Sequence, residues 1–262
     1  MRNTMPNARA LRNRASVRGF SLIELLVTIG VIAVLLGILL PALASVRSRA
    51  LDVRTLSNLR QTHAIFEMYA AEQSAGHFPH YGPGDTVKFQ NTMLSGSFPF
   101  HATTFWSAAL EDLAPWDEWF QLWVVDQYRR LPDKPWEFDP SSGFGSGVGI
   151  TSFSMSRTLT ARPRLWQGTP VEDPAKYFKP VRFAEVRFPS NKALLWQTGR
   201  AEHQLDEPAE TMRRAVLFVD GHADRHTFED VGEIVKPAIE GWSLDPMPFA
   251  DTKDGAYGID VP

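Results

Sequence analysis

The sequence contains no cysteine. This excludes a disulfide framework, a thiolate-bound zinc site and a thiol nucleophile. It also lacks a strong net charge: a formal −3 over 262 residues gives no reason to expect nucleic acid as a partner. No Gly-x-Ser-x-Gly elbow is present, and no spacing among the Ser, His and Asp residues singles out a triad. No catalytic residue and no cofactor are therefore assigned, and the chain is read as a non-enzyme. Wholesale disorder is excluded too, because hydrophobic residues make up 44% and charged residues 22%. The small net charge hides an asymmetry. Residues 1–60 carry nine Arg against two acids, Glu24 and Asp52, whereas the remainder carries 18 basic and 28 acidic residues.

More than half of that arginine lies in the first 19 residues. Arg2, Arg9, Arg12, Arg14 and Arg18 occur in residues 1–19 without an acid. The next 21 residues, 20–40, contain a single charge, Glu24. As a helix this run spans about 31 Å, close to the hydrocarbon thickness of a bilayer. Apolar residues on every face for that length mark a membrane segment, assigned to 20–41, rather than a surface helix of a soluble domain. The Arg cluster places the N-terminus on the cytoplasmic side and the rest of the chain outside the cytoplasm. Three other readings stand beside this one: a cleaved secretory signal with Ala42-Leu43-Ala44 as its site, a plain signal anchor, and a Glu24 shallow enough to reach the headgroups. A carboxylate in hydrocarbon costs about 2.5–3.5 kcal/mol even on the lenient insertion scale, so Glu24 is a functional candidate.

Gly19-Phe20-Ser21-Leu22-Ile23-Glu24-Leu25, preceded by basic residues and followed by the apolar run, resembles the processing motif of type IV prepilins and type II secretion pseudopilins. The resemblance implies cleavage between Gly19 and Phe20 by a prepilin peptidase and methylation of the new Phe20 amine. It also implies a helix-kinking Pro41 and an assembly role for Glu24. Its implied partners are other pseudopilin subunits, the peptidase, an inner-membrane assembly platform and membrane lipid. The physics is compatible with that role. Residues 20 and 24 share a helix face, and an amine created at Phe20 would compensate the Glu24 carboxylate within one chain or between neighbours. An unpaired buried charge is far more costly than a paired one, so an intermolecular pairing would set axial register.

Beyond the membrane, Pro41 predicts a kink or a short melt near Gly37–Pro41. The helix then resumes. Leu43, Val46, Ala50, Val53, Leu56, Leu59, His63, Phe66 and Ala70 form an amphipathic stripe at spacings of three and four, and Ala75-Gly76 supplies the stop. Residues 42–75 are thus an amphipathic continuation packed on a head, 76–262. His63, on the stripe, is expected to be packed or hydrogen-bonded.

The head begins with a loop-rich stretch, 76–103, with room for short strands. Five of the eight Trp fall between 106 and 136. Residues 104–136 are read as a Trp-rich helical insertion whose aromatics pack a core, with an exposed binding platform as the alternative. Gly143–Gly149 is a flexible turn, not a phosphate loop. From 150 to 228 the pattern becomes strand-like: residues 150–159, 192–197, 215–219 and 222–228. Asp220-Gly221 between the last two predicts a hairpin with a type I′ turn, His222 opening the returning strand. Asp220, His222, Asp224 and His226 are read as turn chemistry and a solvated strand, with no metal assigned. Residues 230–240 are expected to form a short helix, and 243–262 an irregular tail.

Residues 152–159 (SFSMSRTL), 188–197 (FPSNKALLWQ) and 216–224 (VLFVDGHAD) also resemble, in order, the large pseudopilin-like proteins of planctomycetes and their relatives, which end in a strand, DGH, strand element. The Trp-rich middle departs from that pattern. Together the resemblances imply an α+β, pilin-like fold: a long N-terminal helix packed on a mainly antiparallel sheet. The expected role is a structural subunit processed by prepilin peptidase and assembled in a type II secretion or type IV pilus-like fibre. It would be held in the cytoplasmic membrane by a single pass, with a periplasmic head. The alternatives are a membrane-anchored binding module that does not polymerise and a secreted enzyme released at Ala44.

Overall fold

The computed structural model describes residues 20–72, 74–81, 84–89, 92–95, 100–125, 151–198, 211–239 and 246–262. The chain divides into two compact units, residues 1–49 and 50–262. One helix, α1 (Leu22–Glu72), crosses the division. Its assignment runs unbroken through Gly37–Pro41, so the chain does not melt there.

In the first unit, no described side chain of α1 is buried, although Leu22, Ile23, Leu25, Leu26, Val27, Ile29 and most of their successors are large and apolar. In the second unit the same helix turns amphipathic. Leu59, Thr62, His63, Ile65, Phe66 and Ala70 are buried, at the expected three- and four-residue spacing. The buried stripe is shorter than the sequence pattern: Ala50 and Val53 are exposed, and packing starts at the half-buried Leu56. After Glu72, Ala75 and Gly76 take positive φ values of 50° and 88°, and the Gly76 N–H reaches the Ala70 carbonyl at 2.7 Å. That geometry ends the helix where Ala75-Gly76 predicts.

The head contains a four-stranded antiparallel meander, β3 (Phe153–Met155), β4 (Ala193–Gln197), β5 (Arg214–Phe218) and β6 (Ala223–His226), in that order across the sheet. A separate hairpin is formed by β1 (Thr86–Phe89) and β2 (Thr92–Ser95), within the stretch expected to be loop with short strands. The central strands β4 and β5 are buried along their whole length, which explains their continuous apolar character. One face meets α1: Met155, Leu195, Ala215 and Leu217 share a core with Leu59 and Phe66. The other, Ala193, Trp196, Val216 and Phe218, packs on Phe249. A register shift between Ala193 and Leu195 puts Leu194 beside Leu195 in the first core despite strict strand alternation.

Residues 100–125 form α2 (His101–Thr104), a 3-10 turn at Trp106–Leu110 and α3 (Trp116–Trp123). Trp106, Trp116 and Trp123 are fully buried. Trp106 lies 5.3 Å from both Phe66 and Trp123, centroid to centroid. These rings are core, joining α1 to the sheet, and that burial removes them from any binding platform. Trp136 and the Gly-rich 143–149 stretch lie outside the described residues.

Two expectations are corrected. The strand predicted over 150–159 is only Phe153–Met155; a 3-10 turn, Arg157–Leu159, follows because Ser156 makes the last bond to Leu194 and the chain then folds back. Residues 231–239 are not helical: Ile234 bridges Thr252, and Val235 donates to the Asp251 carbonyl, so an extended strap replaces the helix. The tail, in its described part 246–262, is integral to the head. Phe249, Ala250, Asp251, Thr252, Ala256 and Asp260 are buried. Asp251 Oδ2 lies 3.0 Å from Arg157 Nη1, and its Oδ1 accepts from Trp166 Nε1 at 3.2 Å.

Candidate functional site

The first residues of α1 are arranged as a helix start. Ser21 precedes the helix; its hydroxyl accepts from the Ile23 N–H at 3.4 Å. Glu24 reaches back so that Oε2 accepts the Ser21 N–H at 2.9 Å. Ser-x-x-Glu is the spacing of a capping box, in which a side chain at each end satisfies backbone donors that the first helical turn leaves without partners. The carboxylate also sits at the positive end of the helix dipole. The Ser21-x-x-Glu24 spacing is visible in the sequence, and it gives the acid a partner besides an amine at Phe20 or the headgroups. Phe20, immediately before the box, is exposed over 79% of its surface. Gly19, on the other side of the expected cleavage point, lies outside the described residues. Pro41 lies inside α1.

Behind this cap stand 18 or more residues apolar enough to cross a membrane, with a mean hydropathy of 2.8 and none of them buried in the protein. Side chains such as Ile32, Leu35 and Leu39 are more than half exposed, and each would gain about 1.5–3 kcal/mol on transfer to an apolar phase. The groups described at this end of α1 are thus a carboxylate that caps the first turn and an apolar rod behind it.

Residues 14–40 match the prokaryotic N-terminal methylation motif. This match supports the resemblance to type IV pilins and pseudopilins carried by Gly19–Leu25, and it spans the leader, the cap and the apolar run but none of the head. No curated protein matches the chain, and no solved structure does. The motif and the apolar helix fit a single-pass inner-membrane anchor.

The remaining predicted residues, Asp220, Gly221 and His222, belong to the other compact unit. They lie in the four-residue β5–β6 loop, Val219–His222, closed by Gly221 N–H to Phe218 O at 3.0 Å and Phe218 N–H to His222 O at 2.9 Å. Only Gly221 takes a positive φ, 88°. The turn is thus not the type I′ pair, which requires positive φ at both central residues. Asp220 Oδ1 accepts the His222 N–H at 3.1 Å and lies 2.6 Å from His222 Nδ1, while the His222 ring stacks on Phe218 at 4.2 Å. Beneath the loop, His63 Nε2 is 2.8 Å from the Val219 carbonyl. A Cβ on Gly221 would come within 2.8 Å of His63 Nδ1, so glycine is required both by φ and by the approach of α1. This loop anchors the hairpin to the helix. Arg225, paired with Asp52, and Arg60, donating to the Ala223 carbonyl at 3.0 Å, tie β6 to the same helix.

Proposed function

We propose that the chain is a pilin-like structural subunit, cut between Gly19 and Phe20 by a prepilin peptidase, N-methylated at Phe20, and assembled with other pilin-like subunits. The observation that carries this is the conjunction of the methylation motif at 14–40 with an apolar helix that the protein itself leaves wholly uncovered. The first half of α1 supplies a membrane anchor before assembly and a fibre core after it, with Pro41 kinking the helix near the membrane exit. The head lies on the periplasmic side, and the protein turns over no substrate. In the β5–β6 loop, Asp220 and His222 shape the turn, and Val219 and Gly221 hold it against His63 of the helix. The order of strand segments around 152–159, 188–197 and 216–224 favours a pseudopilin-like protein of the planctomycete type, in a type II secretion or type IV pilus-like system.

Glu24 gives the assembly its register. In the single chain it caps its own helix through Ser21. After cleavage the Phe20 amine of an incoming subunit competes for the same carboxylate, and the charged, methylated amine adds the attraction of a full opposite charge that a backbone N–H lacks. The absence of cysteine makes the test clean. Single cysteines introduced along residues 25–40 are expected to give disulfide-linked copies in membranes of cells carrying the assembly system, and Glu24→Val is expected to abolish those links while leaving membrane insertion intact. Links unchanged by Glu24→Val would refute the register role.

A further inference from the structure

Among the described residues, the head encloses an amine, a carboxyl and a hydroxyl in mutual contact. Lys192 immediately precedes β4, and its side chain is wholly enclosed, at 0% exposure. Its Nζ lies 2.8 Å from Asp260 Oδ1, and Asp260 is equally enclosed. Thr252 Oγ1 lies 2.6 Å from the same Nζ and is also hydrogen-bonded to Asp260 Oδ1. The other carboxylate oxygen, Oδ2, accepts the Ala193 N–H at 2.6 Å. An amine, a carboxyl, a hydroxyl touching both, and an N–H on the remaining oxygen are thus sealed from water. The residues come from segments 68 positions apart.

As an ion pair this arrangement is poor. Removing two charges from water costs more than their attraction commonly returns. Burial drives the Lys192 ammonium down and the Asp260 carboxyl up, against the opposing charge of the partner, and so moves both toward neutrality. A neutral amine held against a neutral carboxyl is the reactant pair for amide formation, and holding the two in contact removes the entropy cost of bringing them together.

We propose that Lys192 and Asp260 become joined by an intramolecular isopeptide bond between Nζ and Cγ, with Thr252 relaying the proton. The Nζ lone pair attacks Cγ, and the carbonyl electron pair moves onto Oδ2, where the Ala193 N–H receives the developing charge. Nζ gives one proton to Thr252 Oγ1, and the Thr252 hydroxyl proton passes to Oδ1. The Cγ–Oδ1 bond breaks, Oδ1 leaves as water, and the carbonyl re-forms. Amine and carboxylic acid yield amide and one water, with no change of oxidation state and no co-reactant. The product removes both buried charges and pins segment 246–262 to the edge of β4.

The test is the mass of the full chain, expressed, purified in detergent and then denatured. A mass lower by one water than its own N-terminus requires is expected, together with a branched proteolytic peptide joining Lys192 to Asp260. Lys192→Arg should restore the full mass, and Asp260→Asn should lose ammonia in place of water and give the same branched peptide. Thr252→Ala should leave a full-mass species that converts slowly; conversion at the wild-type rate would overturn the relay. Folded wild-type protein with the full mass and two separate peptides would overturn the bond itself and leave an ordinary ion pair. The wild-type measurement decides this even where a variant fails to fold. The bond is independent of the assembly role, since a linked head is compatible with any processed N-terminus.

Discussion

Leu36 and Phe66 stand on the same helix, yet Leu36 is 48% exposed and Phe66 is fully buried. The difference is one of solvent. Around Leu36 every face of the helix is apolar and no described residue buries it; around Phe66 the apolar residues keep to one face, and the sheet and the Trp cluster cover that face. A helix that is hydrophobic all round needs a membrane or other copies of itself, whereas an amphipathic one needs only its own domain. The two compact units are therefore two answers to the same requirement of removing apolar surface from water.

This contrast can be broken by matched truncations. Phe66→Ala removes a ring packed on Trp106 and should destabilise the head by about 3–5 kcal/mol, read as a lower urea midpoint in Trp fluorescence. Leu36→Ala, the control in the other unit, should shift that midpoint by less than about 0.5 kcal/mol. A comparable loss from Leu36→Ala would mean that the two stretches are not independent. A smaller effect, about 1–3 kcal/mol, is expected from Gly221→Ala, which forces a side chain into a positive-φ position against His63. His63→Ala in the same background should recover part of that loss, because it removes the clashing ring.

The smallest predicted effect is one of pH and belongs to the head alone. Burial holds the His226 pKa below its ordinary value, against the opposing pull of Asp224 and Asp230. The folded state then binds this proton less readily than the unfolded chain does, so stability rises with pH across the window. The contribution is complete above the ordinary value of 6.5 and is lost as pH falls through the lowered folded value. His226→Asn should flatten the stability profile between about pH 7 and 5; an unchanged slope would assign the titration elsewhere.

The elements set by local pattern were legible: the apolar run, the stop at Ala75-Gly76, the position of the β5–β6 hairpin, and His63 on a packed stripe. What escaped the sequence depends on distant partners. The turn at Asp220 is held by the contact of the Val219 carbonyl with His63, a distant partner that no dipeptide rule contains. Segment 246–262 has no periodicity because it is held by single buried contacts, Asp251 to Arg157 and Asp260 to Lys192, rather than by a repeating face. The straplike course of 231–239 follows the same segment. At the candidate site, the Ser21–Glu24 cap was present as a spacing and carries a second use of the acid.

The central claim is that the bare apolar helix begins at a processed phenylalanine. Mass spectrometry of the N-terminal peptide from membranes of a cell with its own peptidase tests it most directly. The account predicts a chain starting at N-methylated Phe20. A chain that keeps Met1, or one that starts at Ser45, would contradict it.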